Sequence, residues 1–224
     1  NWIQHQNIEG TPKTVTVKRL HGKWYLFVVT DSVRKAESIK TGKRVGVDVG
    51  IMTFATLSDG TEIENPRFFE TEQKVRDGKT DIAIKKARKR VRRIHERISN
   101  KRHNFIHQVT NRLIRDYDTL VLEDINVNQM IKKRWCNKQI LDAAWSSFTN
   151  TLSYKAECAG KTVVKVNPAW TSQTCSKCGT RTLHELKERT FQCSHCGYAA
   201  DRNLNASRNI LTLGLQSFCS MKVE

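Results

Sequence analysis

Two Cys-x-x-Cys pairs, Cys175/Cys178 and Cys193/Cys196, constrain this chain more than any other feature. Fourteen residues separate them, and a glycine (Gly179, Gly197) follows each. Two such knuckles converge into a tetrahedral set of four thiolates, closed to further ligands and therefore structural. The reading is a Zn²⁺ site held by Cys175, Cys178, Cys193 and Cys196, in a module that chelation would unfold. The gap is one residue under the usual ribbon window of about 15 to 20; a redox dithiol and a chance pairing are the other readings. Cys136, Cys158 and Cys219 stand alone. An odd count, behind a start (Asn1-Trp2-Ile3-Gln4-His5) with no basic and apolar signal regions, points to a reducing compartment. Cys158, on a predicted helix, reads as a small core residue.

Lys and Arg number 39 against 22 Asp and Glu, a formal net charge of +17. Charge of that size opposes collapse and suits an anionic partner. A hydrophobic fraction of 38% still permits a core and excludes a wholly disordered chain. No run approaches the roughly 18 apolar residues of a membrane span. By exclusion the reading is a cytoplasmic protein. The first residue is not Met, which reads as a fragment, a processed product or an incomplete frame.

Residues 14 to 30 alternate as two strands around His21-Gly22. After a polar stretch, Arg44 to Val49, Thr53 to Leu57 and Thr61 to Glu64 read as a meander, with Asp59-Gly60 as a hairpin turn. From about residue 80 the period becomes helical: Ile84, Ala87, Val91, Ile94, Ile98, Ile106, Val109 and Leu113 form one stripe of a long helix or helix pair. Between Lys85 and Arg102 it carries ten Lys or Arg and one acid, Glu96. Like charges at i,i+4 repel by a few tenths of a kcal/mol each. A phosphate backbone explains the run better than a solvated face, with Lys85, Arg88, Lys89, Arg92, Arg93, Lys101 and Arg102 as the nucleic-acid-binding candidates. A strand at Thr119 to Leu122, a basic loop (Lys132, Lys133, Arg134), a helix near 140 to 158 stopped by Gly160, a strand at Thr162 to Val166, the cysteine segment and a helix from Asn203 to Leu213 complete an α/β order.

Two carboxylates stand out. Asp48 lies within an otherwise apolar strand between Gly46 and Gly50, and Glu123 ends another. A carboxylate within a sheet is costly unless compensated. A divalent cation compensates it, and two carboxylates on neighbouring strands can hold Mg²⁺ for phosphodiester cleavage. The alternative is a hydrogen-bonded edge residue. Asp124 neighbours Glu123, and period-two alternation turns one of the two away from the site.

Val45-Gly46-Val47-Asp48-Val49-Gly50 with Phe54 to Gly60 resembles the first motif of RuvC-like, RNase H-fold nucleases, and Val121-Leu122-Glu123-Asp124-Ile125 resembles their second. Thr171 to Gly179, Glu188 to Cys193 and Asp201-Arg202-Asn203-Leu204-Asn205-Ala206 resemble the zinc ribbon and third motif. His21 to Tyr25 resembles the last strands of an N-terminal β-barrel. The set, from about residue 14 to 213, resembles the transposon-encoded TnpB (OrfB) family of RNA-guided nucleases, related to type V CRISPR effectors.

The resemblance implies an RNase H-like (RuvC-type) mixed sheet flanked by helices, with an inserted zinc ribbon and an N-terminal β-hairpin left from a barrel. It divides the chain into 1–40 (end of an RNA-binding barrel), 41–170 with 199–224 (nuclease core) and 171–198 (zinc module). It implies a Mg²⁺-dependent DNA endonuclease with Asp48 and Glu123 as ligands, and DNA and a guide RNA as partners. Where the family reads Asp-Arg-Asp-x-Asn-Ala, its second Asp is Asn203 here, an oxygen donor without charge. Asp201 is either a replacement ligand or a helix N-cap. The alternative function is therefore a nuclease-inactive, RNA-guided DNA-binding protein or a decayed copy.

Overall fold

The computed structural model describes residues 3–4, 7–20, 22–31, 39–71, 84–126, 130, 143–183 and 188–220, without the side chains of 84–89 and 218–220. The expected basic loop at Lys132 to Arg134, Cys136, Ile140 and the side chains of Lys85, Arg88, Lys89 and Cys219 lie outside this description, as does His21.

Alternation builds the central sheet. In β3 (Arg44–Val49) Val45 and Val47 turn to one face, while Gly46 and Asp48 turn to the other. Antiparallel β4 (Thr53–Leu57) pairs with β3 through Val47 opposite Leu57 and Asp48 opposite Thr56. The return to β5 (Glu62–Glu64) is made at Gly60, whose φ of 92° is the left-handed value a tight hairpin requires. On the other flank β6 (Thr119–Glu123) runs parallel to β3, with Gly46 opposite Val121 and Val47 opposite Leu122. Parallel β7 (Thr162–Val166) closes the sheet, and the order is β5-β4-β3-β6-β7. The meander expected around Asp48 is thus present, with two parallel strands added beside it.

Helices cover both faces. The stripe expected from residue 84 is one helix, α1 (Ile84–Asp116), 33 residues and about 50 Å long. Its C-terminal half places Ile106, Val109 and Leu113 on Val45, Val47, Leu120 and Leu122. Phe148 and Leu152 of α2 (Trp145–Cys158) join them, and Phe54 meets Phe105 and Phe148 edge-to-face at 4.9 and 5.2 Å. Lys155 ties α2 to α1, its Nζ donating to His107 O, Thr110 Oγ1 and Asn111 Oδ1 at 3.2, 2.9 and 2.7 Å. α2 starts after Ala144, in the left-handed region, and Gly160 at φ 64° follows its end.

On the opposite face lies α3 (Arg202–Ser220), longer than the expected Asn203 to Leu213. Ile210, fully buried, packs on Val121 and Val166, a burial that contributes roughly 1.5–3 kcal/mol. Two glycines set its closeness: a Cβ on Gly46 would meet Ser207 O at 2.0 Å, and one on Gly214 would meet Val121 Cγ1 at 2.4 Å.

Outside the sheet, β1 (Pro12–Leu20) and β2 (Lys23–Thr30) pair antiparallel with their apolar side chains largely exposed. The cysteine segment has its own small sheet, β8 (Thr190–Gln192) against β9 (Ala199–Asp201), and β9 runs straight into α3. No helix of the described residues is long and apolar enough to cross a membrane.

Candidate carboxylate site and cysteine module

Register brings Asp48 and Glu123 together. Val47 is paired with Leu122 in parallel strands, so the next residue on each side is a carboxylate. Both share the face of Gly46 and Val121, beneath α3. Burial raises the Asp48 pKa well above the usual carboxylate range, the charges of Glu123 and Asp201 add to the rise, and Arg202 opposes it. Burial likewise raises Glu123, against a hydrogen bond from Thr171 that lowers it. Two half-buried carboxyls that both resist ionisation form a hard-oxygen donor pair suited to a divalent cation such as Mg²⁺. Asp124 turns outward, exposed, with Lys165 Nζ 4.0 Å away.

The start of α3 closes this end of the sheet. Asp201 Oδ1 accepts from the amides of Asn203 and Leu204 at 2.8 and 3.2 Å, the geometry of an N-cap. Its side chain is exposed and its charge still reaches Asp48. Asn203 is half-buried in the first turn. Arg92, Arg93 and Lys101 are exposed along α1, and Arg102 is half-buried. The described part of α1 before Ile98 is mostly exposed, so Arg92 and Arg93 face solvent rather than the core.

The four cysteines also converge, with all four sulfurs within 4.8 Å of one another. Cys175 Sγ lies 3.7 Å from Cys196 Sγ, and Cys178 Sγ 3.5 Å from Cys193 Sγ. These are not disulfide distances. Tetrahedral ligation at about 2.3 Å per sulfur gives edges of about 3.8 Å, so the set fits one tetrahedral metal ion. Each knuckle is closed by its glycine: Gly179 N donates to Cys175 O at 2.8 Å and Gly197 N to Cys193 O at 3.1 Å. Phe191, fully buried, packs with Cys175, Cys193 and Tyr198 as the module's own small core.

Three residues outside the expected site set, Thr171, Asn205 and Asn209, join the two sites. Thr171, only 4% exposed, donates its hydroxyl to Glu123 Oε1. From α3, Asn205 Nδ2 donates to Thr174 O at 2.7 Å while its Oδ1 accepts from Ser176 N at 2.9 Å. Asn209 Nδ2 reaches Thr171 O and Thr174 O at 2.8 and 2.6 Å. The signal available in sequence was two amides at i,i+4 beside the apolar Ala206 and Ile210, where a helix face meets its neighbours.

Comparison with known proteins matches this arrangement in two segments. Residues 26–134 match the family described as "Probable transposase" (OrfB_IS605), and residues 145–210 match the "Cas12f1-like, TNB domain" family. Two relatives carry the name "Putative RNA-guided DNA endonuclease". InsQ of Escherichia coli (strain K12) is 33% identical over 95% of this chain and 60% of its own length. A protein of Streptomyces pristinaespiralis is 37% identical over 91% of this chain and 53% of its own. The chain thus spans little more than half the length of these relatives. A cryo-EM structure of a Cas12f1-sgRNA-target DNA complex superposes with a TM-score of 0.56 at 19% identity, covering 88% of this chain and 55% of that one. The fold is Cas12f-like: a mixed α/β sheet flanked by helices, with a four-cysteine cluster. Within that class, the chain belongs to the TnpB family, related to the type V effectors.

Proposed function

We propose that this chain carries the catalytic portion of a transposon-associated, RNA-guided DNA endonuclease, working in a prokaryotic cytoplasm. The observation that carries the reading is the placement of Asp48 and Glu123 at adjacent positions of parallel strands, both resisting ionisation, under the start of α3. In this reading the five-stranded sheet with its helices (41–170 and 199–224) is an RNase H-like, RuvC-type core. Its antiparallel meander followed by two parallel strands supports that assignment. Residues 171–198 form a zinc module against target DNA, and 1–40 the end of an RNA-binding barrel. The exposed apolar side chains of β1 and β2 fit strands that belong to a larger sheet.

Asp48 and Glu123 would hold Mg²⁺, with Asn203 offering a carbonyl oxygen and Asp201 close enough to act electrostatically. The ion, when bound, supplies Lewis-acid stabilisation of the scissile phosphate and of the leaving oxygen. The chain's own part is to fix two oxygen donors on rigid strands and to offer Arg92, Arg93 and Lys101, exposed along α1, to a phosphate backbone. The four thiolates would hold Zn²⁺, which fits their number and spacing.

A second reading is a nuclease-inactive RNA-guided DNA binder. It is favoured by Asn203 where the family has a carboxylate, and by the engagement of Asp201 in capping α3. Purified chain with co-expressed RNA, assayed on labelled guide-matched duplex and single-stranded DNA in Mg²⁺ or Mn²⁺, separates the two. Cleavage that disappears in Asp48→Ala supports the endonuclease. Cleavage only after Asn203→Asp supports the binder. Cleavage unaffected by Asp48→Ala removes the carboxylate site from the chemistry.

A further inference from the structure

Thr171 reaches Glu123 by an unusual path. The chain leaves β7, and Asn167 Oδ1 accepts from Ala169 N at 2.9 Å, starting a tight turn. Trp170 then takes a left-handed backbone at φ 70°, a conformation that costs a bulky residue about 1 kcal/mol or more. The surroundings hold it there: Trp170 O accepts from Gln173 N, Thr174 N and Thr174 Oγ1, all at 3.0 Å. The outcome of this strained turn is that Thr171 points inward and its hydroxyl meets Glu123 Oε1. The other acceptor in its reach, Pro168 O, lies at 3.1 Å within the same turn.

The turn is fixed from outside as well. Asn209, 8% exposed, holds Thr171 and Thr174 by their carbonyls, and fully buried Asn205 holds Thr174 O and Ser176 N, on either side of Cys175. One short segment, 171 to 176, thus carries the hydroxyl on Glu123 at one end and the first cysteine knuckle at the other. α3 clamps it between them.

We propose that Thr171 is a positioning residue for Glu123, and that the cysteine module, through the Asn205 and Asn209 clamp, holds it in place. With Oε1 taken by the hydroxyl, Glu123 keeps Oε2 for the ion it shares with Asp48. The module then contributes to the carboxylate site itself and not only to nucleic-acid contact. This rests on the reading of Asp48 and Glu123 as an ion-binding pair. Outer partners of metal-binding carboxylates typically change affinity by about 10- to 100-fold when removed.

The test is Mn²⁺ binding by electron paramagnetic resonance on the full chain, unaltered and as Thr171→Val and Thr171→Ser, with zinc content and melting temperature measured on each. Valine keeps the shape and loses the hydroxyl; serine keeps the hydroxyl. The expected result is at least tenfold weaker Mn²⁺ binding in Thr171→Val, near-unaltered binding in Thr171→Ser, and the same zinc content throughout. Equal Mn²⁺ affinity in Thr171→Val and the unaltered chain overturns the proposal. A melting cycle of Thr171→Val with Glu123→Ala needs no Mn²⁺. If no variant binds Mn²⁺ but the cycle is non-additive, the positioning contact stands and the ion-binding reading fails. If the cycle is additive, the contact itself is refuted.

Discussion

Gly46 lies directly beneath Ser207, so close that a Cβ on it would come within 2.0 Å of the Ser207 carbonyl oxygen and 2.7 Å of the Leu211 amide nitrogen. Backbone cannot yield as a side chain can. The depth of α3 over the sheet, and with it the height of Arg202 and Asn203 above Asp48, depends on this missing methyl. Gly46→Ala is expected to destabilise the fold by about 3 kcal/mol or more, the upper range for overpacking. Gly214→Ala meets the Val121 side chain rather than backbone and gains helix propensity, so its loss should be smaller, about 1–2 kcal/mol, and relieved by Val121→Ala. Urea unfolding of the four variants checks both.

Asp48 gives a pH signature. Its folded pKa is raised by burial and then by Glu123 and Asp201, so the folded chain holds its proton more tightly than the unfolded chain. That contribution is fully present below the unfolded value near about 3.9, and it is lost as pH rises through the folded value. In metal-free buffer, Asp48→Asn should therefore melt a few degrees higher than the unaltered chain at pH 8, with the difference vanishing near pH 4. Added Mg²⁺ should raise the melting temperature of the unaltered chain and leave Asp48→Asn unmoved. Scanning calorimetry at the two pH values, with and without Mg²⁺, decides it. A lower melting temperature for Asp48→Asn at pH 8 would contradict the electrostatic account.

Why some of this was legible in sequence and some not is a matter of range. The strands at Arg44–Val49 and Thr119–Glu123, and the stripe through Ile106, Val109 and Leu113, carry periods that local side-chain direction imposes, and they appear where expected. The cysteine convergence was readable because two knuckles close within a few residues each. Whether α1 was one helix or two was open, because nothing between Lys101 and Phe105 breaks a helix or enforces one. The start of α2 depends on Ala144 in a left-handed conformation without a side-chain cap, which no capping signal announces. The Thr171 contact spans 48 residues to Glu123 and needs a strained Trp170 to form, so neither spacing nor composition pointed to it.

Lys161 and Asp118 make the base of the sheet sensitive to acid. The Lys161 side chain is 2% exposed and its Nζ lies 3.2 Å from Asp118 Oδ1. Asp118 also accepts from Gly42 N at 2.5 Å. Backbone hydrogen bonds from Thr41 and Gly42, and then the side-chain hydrogen bond and charge of Lys161, hold its pKa down at about 2. A depressed carboxylate contributes stability above its unfolded pKa and loses it as pH falls through the folded one. Stability should thus decline from about pH 4 towards pH 2, and Asp118→Asn should flatten that limb. Asp118→Ala, which leaves a buried ammonium without its partner, should cost more than Lys161→Met, which removes the charge and keeps the packing. Acid titration of circular dichroism, and melting of the two single variants at pH 7, test the slope and the order.

Metal removal from the cysteine cluster has a further expected consequence, because the module is mechanically continuous with α3. A hydrogen bond from Thr180 draws the Cys178 thiol down to about 5, and the Cys196 amide lowers Cys193. The Tyr198 amide also pulls Cys196 down, but burial and the three neighbouring thiols outweigh it and push it up to about 12. Four sulfurs this close cannot all ionise without a cation, so binding Zn²⁺ must release protons, and affinity should rise with pH. Without the ion, Phe191 and Tyr198 are left as a core too small to hold β8 against β9. Chelation should therefore strip amide protection from 174–183 and 188–201, and from the first turn of α3, where Asp201 links strand to cap. β3, β6 and the C-terminal half of α1 should keep theirs, since their packing is made by Val45, Val47, Leu120, Leu122 and Leu113. Hydrogen exchange by mass spectrometry before and after chelation, with released zinc counted per chain, gives both numbers. Uniform loss across the sheet would mean that the core depends on the ion as much as the module does.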